Sequence, residues 1–232
     1  MNQNYIYLIP LYNKSSILEK TINQLDKIEN KKVFFIENGS TDDSLKKCKK
    51  LIESRKDFDI LISKKGFGNA LSRGLSEIQD SKSGILVITG ADLPFGFSDI
   101  NYLREELNFK FEVCIGSKAH KDSIIKRSLM RTLSSKVFNT FLKAFFRLRI
   151  KDTQGSILLN LQRVSLSNIK IYSENFFSSV ELIIKLQRKN YSVKEIPIEI
   201  KEDKTNKTTV NVFSDSLIML LEMLRFKFFN KD

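Results

Sequence analysis

Val33-Phe34-Phe35-Ile36-Glu37-Asn38-Gly39-Ser40-Thr41-Asp42 passes from a strand-length apolar run into a polar turn. Val33 to Ile36 is β-branched and aromatic, the composition of a strand buried in a sheet. Gly39 suits a turn at positive φ. The Ser, Thr and Asp after it are residue types that cap a helix whose first amides face a ligand. The same passage occurs upstream, where Tyr5 to Ile9 runs into Pro10-Leu11-Tyr12-Asn13. Ile60 to Ile62 and Ile85 to Thr89 are two more short apolar runs, and amphipathic stretches of helical period separate all four. Ser16 with Glu19 has the spacing of a capping box for the first helix, Asp42 or Asp43 begins the second, and the third follows Gly66 to Gly68. Strands alternating with helices predict right-handed βαβ units, hence an α/β fold with a mostly parallel, Rossmann-like sheet flanked by helices. Such sheets bind ligands at the carboxyl ends of their strands, where the Glu37 to Asp43 and Gly90 to Pro94 loops emerge.

Farther along, Phe111 to Ser117 has the pattern of a fifth strand, and about Ser123 to Arg149 that of a long basic helix. Residues 152–200 give a strand, a helix containing Glu181, and a strand ending near Pro197. A loop rich in Lys, Thr and Asn then leads to a last helix with Ser214 or Asp215 as its cap. The expected organisation is one domain over 1–210, followed by a C-terminal amphipathic helix over 211–232 that associates with a membrane or a partner.

Thirty-nine Lys and Arg against 27 Asp and Glu leave a net charge of +12, so some surface attracts anions. No helix-turn-helix, zinc or RNA-binding signature accompanies that charge, so phosphates and lipid headgroups are the expected partners rather than nucleic acid. Cys48 and Cys114 are lone thiols and His120 is the single histidine, which leaves disulfide frameworks, zinc sites and histidine dyads without support. The start, Met1-Asn2-Gln3-Asn4, lacks the basic region and long apolar stretch of a signal peptide, and no segment reaches about 18 uninterrupted apolar residues. A cytoplasmic location is expected.

The polar turns form an ordered series. After the two already quoted come Gly66-Phe67-Gly68-Asn69-Ala70 with Gly74, Gly90-Ala91-Asp92-Leu93, Gly116-Ser117-Lys118, Arg127-Ser128 with Arg131, Asp152-Thr153-Gln154-Gly155, and Glu181. In order and spacing the series resembles family 2 of the inverting glycosyltransferases. Within that family it is most similar to the dolichyl-phosphate glucosyltransferase and mannose synthase branch, from about residue 5 to residue 210. The resemblance implies a GT-A fold and transfer of a hexose from a nucleotide-sugar to a polyprenyl phosphate, dolichyl or undecaprenyl. It places Pro10, Tyr12, Glu37, Asn38, Gly66, Gly68 and Asp92 around the nucleotide-sugar, with Asp92 holding the donor pyrophosphate through Mg2+ or Mn2+. It assigns contacts with donor and lipid phosphates to Arg127 and Arg131, and sets Lys207 near the phosphates. Asp92, Arg127, Arg131 and Asp152 are its expected catalytic residues. No organic cofactor is implied.

The donor side departs from the family pattern. Lys14 stands where Glu often follows Tyr-Asn, Glu37-Asn38 where two aspartates precede Gly-Ser, and Gly90 where an Asp-x-Asp motif has its first aspartate. Gly90 removes one anionic ligand and weakens the metal site, although a single carboxylate plus substrate phosphates can hold Mg2+. Asn38 can donate as well as accept, which admits cytosine beside uracil and guanine. The same departures keep open a catalytically silent nucleotide-sugar-binding pseudoenzyme.

On the acceptor side, Arg127 and Arg131 lie four apart and share one face of a helix, where they can address a phosphate together. A phosphate acceptor is already anionic and needs little deprotonation. A hydroxyl of a surface glycan, the other acceptor considered, would require a carboxylate base such as Asp152 or Glu181. Apolar residues from Ile124 to Phe146, interleaved with Lys and Arg, and the run from Leu217 to Phe229 suit helices lying on an anionic membrane surface. A peripheral protein on the inner face of a membrane is expected, with room for a small membrane-spanning partner.

Overall fold

The computed structural model describes residues 3–125, 142, 145, 146, 148, 150–153, 155–200 and 212–229. β1 (Tyr5–Leu11), α1 (Leu18–Leu25), β2 (Lys31–Glu37), α2 (Ser44–Ile52), β3 (Phe58–Ile62), α3 (Phe67–Glu77) and β4 (Ile85–Ile88) follow in strict alternation. They are followed by α4 (Ser98–Glu105), β5 (Val113–Ser117), β6 (Ile124–Ile125), β7 (Ile157–Asn160), α5 (Phe177–Arg188), β8 (Val193–Pro197), β9 (Glu199–Ile200) and α6 (Val212–Phe229).

Seven strands build one sheet in the order β3-β2-β1-β4-β7-β5-β8. All neighbours are parallel except β7, which runs antiparallel to both β4 and β5. The sheet is therefore mixed and mostly parallel, as expected of a GT-A fold. Side chains alternate across it: Leu8 of β1 and Ile36 of β2 join α3 and α5 in one apolar layer, while Tyr7, Ile9 and Leu11 join α1, α2 and α4 in the other. Cys48 and Cys114 are buried free thiols within the second layer.

Three local expectations are corrected. The Ser16–Glu19 capping box does not form: α1 begins at Leu18 with Ile17 in the cap position and no side-chain cap bond. The amides just before it are satisfied from the neighbouring loop, Lys14 N–H donating to Ser44 Oγ (2.7 Å) and Ser15 N–H to Asp42 Oδ2 (3.2 Å). The long helix does not begin at Ser123, because Ile124 and Ile125 form β6 and pair with Glu199 and Ile200 of β9. Ser214 and Asp215 lie inside α6 instead of preceding it, since that helix starts at Val212.

α6 rests on the body of the protein. Met219, Met223 and Phe226, at helical spacing, are buried, and the Phe226 ring lies 5.7 Å from Phe177 of α5 and 5.8 Å from Phe146. Each such fully buried side chain contributes about 1.5–3 kcal/mol of apolar burial. Leu142, Leu148 and Ile150 are also buried in this layer, with Phe145 and Phe146 packed against it. The sequence pattern suited Leu142, Phe145, Phe146 and the 217–229 run to a membrane surface, and the buried residues among these are turned instead to the core.

Candidate active site

β1, β2, β3, β4 and β5 are mutually parallel, so their carboxyl ends share one edge of the sheet; β7, running the other way, begins there. Leu11 stands beside Glu37, Glu37 beside Ile62, and Ile157 lies between Ile88 and Ile115. The turn after each strand, together with Asp152–Ser156 ahead of β7, therefore opens on a common cleft edge. Tyr12, Asn38, Gly66, Asp92 and Asp152 belong to these segments, Pro10 and Glu37 lie in the last residues of β1 and β2, and Gly68 is in the first turn of α3. Arg127, Arg131, Lys207 and Gln154 lie outside the described residues.

The first two turns are laced together. Asn13, at φ 51°, accepts from Thr41 N–H through Oδ1 (2.8 Å), and its own N–H donates to Ser40 Oγ (3.1 Å). Asp42 accepts from Ser44 N–H (2.9 Å) and Ser15 N–H. Partial burial alone would raise its carboxyl, but these bonds outweigh it and hold the group below its ordinary range. Glu37 turns back to accept from Ser40 N–H (2.5 Å), so one of its oxygens holds the loop. Tyr12 follows β1 half-buried, with the Lys65 ammonium 5.6 Å from its ring centre.

Asn38 is 4% exposed. Its Nδ2 faces the Gly66 carbonyl at 3.5 Å, which fixes the amide's orientation, and its buried Oδ1 has no hydrogen-bond partner among the described residues. A buried acceptor left unpaired costs about 1–3 kcal/mol. Such an atom is a natural place for a ligand's N–H.

Gly66 and Gly68 have a packing reason for lacking side chains. Gly66 sits at φ 122°, and a Cβ there would stand 2.4 Å from the Glu174 carbonyl oxygen; one on Gly68 would stand 1.9 Å from the Ser173 oxygen. The segment ahead of α5 thus lies directly on the turn that opens α3. Gly68 N–H donates to Glu174 O (2.7 Å) and Asn69 N–H reaches the same oxygen at 3.4 Å. These first amides of α3 bind a carbonyl, so the turn borders the cleft without being an open cradle for phosphate.

Asp92 projects from the turn after β4, where Leu93 N–H donates to Gly90 O (3.0 Å) and Thr21 Oγ1 donates to Ala91 O (2.6 Å). No hydrogen bond or ion pair reaches its carboxylate among the described residues. One oxygen lies over Gly90, 2.7 Å from where a Cβ would be. Among the described residues no three or more His, Cys, Asp and Glu side chains gather as a metal site. The donor set, one unpaired carboxylate facing the cleft, suits a divalent cation held largely by a nucleotide's phosphates.

Asp152 is differently placed. It is 2% exposed, and its Oδ2 accepts from the Lys118 ammonium (2.8 Å) and the Lys118 N–H (2.8 Å). Its own N–H donates to Glu195 Oε1, which also takes the Ser117 hydroxyl. Glu181 is fully buried, accepting from Tyr172 N–H and Ser173 N–H while its Oε1 pairs with Lys185 at 3.0 Å. Lys118 belongs to the ordered series without an assigned role there; it follows β5, whose end lies at the cleft edge, and that placement is the signal that could have found it. Glu195 has no pattern to mark it.

The comparisons agree with this geometry. A family model described as glycosyl transferase family 2 matches residues 7–166. The dolichyl-phosphate beta-glucosyltransferase of Saccharomyces cerevisiae is 27% identical over 246 residues, covering 94% of this chain and 73% of that protein. The enzyme of the same name from Dictyostelium discoideum is 25% identical, covering 95% and 73%. Among solved structures, glucosyl-3-phosphoglycerate synthase from Mycobacterium tuberculosis with uridine diphosphate superposes with a TM-score of 0.67 at 14% identity, over 97% of this chain and 80% of that one. The same enzyme with Mn2+, uridine diphosphate and phosphoglyceric acid gives 0.67 at 12% identity, over 97% and 78%. With more than half its length inside the family model and the donor-side turns gathered at one sheet edge, the chain belongs to glycosyl transferase family 2 and is a glycosyltransferase.

Proposed function

We propose that the protein transfers a hexose from a nucleotide-sugar to a polyprenyl phosphate at an anionic membrane surface, as a step in building cell-envelope glycan. The observation that carries this reading is the state of Asp152 and Glu181, the carboxylates named as candidate bases for a hydroxyl acceptor. Asp152 is held by Lys118, and Glu181 by two backbone amides and Lys185. Neither is placed to take a proton. An acceptor that arrives as an anion requires none. The curated relatives, both dolichyl-phosphate glucosyltransferases, support the same acceptor class.

On this reading an acceptor phosphate oxygen forms a bond to the anomeric carbon from the face opposite the donor phosphate. The carbon–oxygen bond to the nucleotide breaks, the electron pair leaves with the nucleotide, and the configuration inverts. Tyr12, Glu37, Asn38 and the Gly66–Gly68 turn border the nucleoside, and Asp92 faces its phosphates. Asp92 would share Mg2+ or Mn2+ with those phosphates, and the cation would neutralise charge on the leaving group. Arg127, Arg131 and Lys207 supply cationic contacts to the acceptor phosphate by virtue of their charge and spacing.

The outer face of α6 supports membrane attachment. Ile218, Leu220, Leu221 and Phe228 are exposed there beside exposed Arg225 and Lys227. No described helix is long and apolar enough to cross a membrane. The proposed attachment is peripheral, on the inner face, with or without a small membrane-spanning partner.

Purified protein incubated with labelled nucleotide-sugars and short-chain polyprenyl phosphate, with and without EDTA, should carry label into an organic extract. No label there under any condition would overturn the proposal. Transfer that EDTA leaves untouched would remove the cation from it.

A further inference from the structure

One residue, Glu174, links the C-terminal helix to the donor-side turn. The Glu174 N–H donates to Glu222 Oε1 of α6 at 3.0 Å, while the Glu174 carbonyl accepts from Gly68 N–H at 2.7 Å. Glu222 Oε1 also takes the Asn175 N–H (3.1 Å) and the Asn175 side-chain amide (3.2 Å). Three donors thus converge on a single carboxylate oxygen, and charge-assisted bonds of this kind are the stronger sort. The other oxygen, Oε2, is buried without a partner among the described residues. An apolar residue at position 222 would avoid that desolvation and would match the Met219, Met223 and Phe226 face beside it.

The chain of contacts continues past the turn. Gly66, two residues before Gly68, offers its carbonyl to Asn38 Nδ2 at 3.5 Å, and Asn38 is the buried amide with an unpaired oxygen. Phe67 and Phe176 pack beside this line with their rings tilted and their centres 5.4 Å apart. From the other side, Glu181 holds Tyr172 N–H and Ser173 N–H, so the 172–175 strap is fastened at both ends by carboxylates from two different helices. A strap fixed in this way has little freedom to drift from the Gly66–Asn69 turn, and the bare Gly66 and Gly68 let it approach to backbone contact.

We propose that Glu222 is a positioning residue for nucleotide-sugar binding: by fixing the Glu174 peptide it sets the Gly66–Asn69 turn, and through Gly66 the orientation of Asn38. This rests on the reading that the turn borders the donor nucleoside. On that reading the effect falls on the donor.

Three variants test it: Glu222→Ala removes the acceptor oxygen, Glu222→Gln retains one, and Met223→Ala loosens the packing of α6 without touching the strap. Hydrogen exchange at the Gly68 and Asn69 amides should quicken about tenfold in Glu222→Ala and stay within about twofold of wild type in Glu222→Gln. KM for the nucleotide-sugar should rise about tenfold in Glu222→Ala, with KM for the lipid phosphate changed by less than about twofold. Unchanged exchange at Gly68 and Asn69 in Glu222→Ala overturns the proposal, whether or not the protein transfers sugar. An equal rise in donor KM in Met223→Ala also overturns it, since docking of the helix and not Glu222 would then be responsible. The exchange measurement needs no substrate. A wild-type chain that transferred no sugar would sink the donor reading, while exchange would still decide the link from Glu222 to the turn.

Discussion

The Asp92 carboxylate folds over Gly90, with Oδ1 2.7 Å from the position a Cβ would occupy on residue 90. Glycine there lets the Asp92 carboxylate, which has no partner among the described residues, take this rotamer. Gly90→Ala should push the carboxylate aside at little cost in stability, because the displaced atom ends a flexible side chain. Activity should fall about tenfold. Asp92→Ala should lower kcat/KM by roughly a hundredfold or more, the usual effect of deleting a group that stabilises leaving-group charge. Both are read from steady-state kinetics beside a denaturation curve, and near-normal activity in Asp92→Ala would remove it from the donor site.

Asn38 presents a buried, unpaired oxygen while its nitrogen faces the Gly66 carbonyl. That favours a base carrying a ring N–H, uracil or guanine, over cytosine, whose ring nitrogen only accepts. UMP or GMP should compete with the donor at least about tenfold better than CMP. Strongest inhibition by CMP would show the amide working the other way round.

Much of the donor half is legible in the sequence because strands and helices alternate there, and each polar turn follows an apolar run that must end at the same sheet edge. Glu37, Asn38 and Asp92 could be placed on that edge from pattern alone. The missing cap at Ser16 shows where pattern fails: Lys14 and Ser15 find partners in Ser44 and Asp42 of the neighbouring turn, which local spacing does not reveal. Glu222 is invisible for the same reason. It bonds backbone amides 48 and 47 residues away, and any residue type can supply those.

Asp99 is 4% exposed, accepting from Ser156 Oγ (2.5 Å) and Ile100 N–H (2.8 Å) near the buried Tyr7 hydroxyl. Burial pushes its carboxyl above the ordinary 3.8, against the pull of those bonds. A group raised in the folded state contributes stability that is fully present below its unfolded value and is lost as pH rises through its folded value. Against Asp99→Asn, which cannot ionise, wild type should therefore lose stability as the pH rises from about 4, the ordinary carboxylate value, through the raised folded-state value. Urea midpoints across that range check the sign, and a gap that does not change with pH would contradict it.

Leu221 and Phe228 are 58% and 64% exposed on α6, so replacing either by Glu should leave folding intact. Flotation with vesicles containing anionic lipid should weaken about tenfold in the double variant, and wild-type binding should fall at high salt. Equal flotation of wild type and variant would place the membrane contact elsewhere.

The single reversed strand, β7, has a consequence for how this protein can be recombined with its relatives. It enters between β4 and β5, so every turn assigned to the nucleotide lies before residue 93 in the chain, while Lys118, Asp152 and Glu195 all come after the boundary at α4. Those early turns are nonetheless tied to the far end of the chain, because the 172–175 strap lies on the Gly66–Asn69 turn and is held by Glu222. A chimera joined between α4 and β5 should therefore keep the nucleotide preference of its first parent only where its second parent also supplies a carboxylate at position 222 to hold the strap.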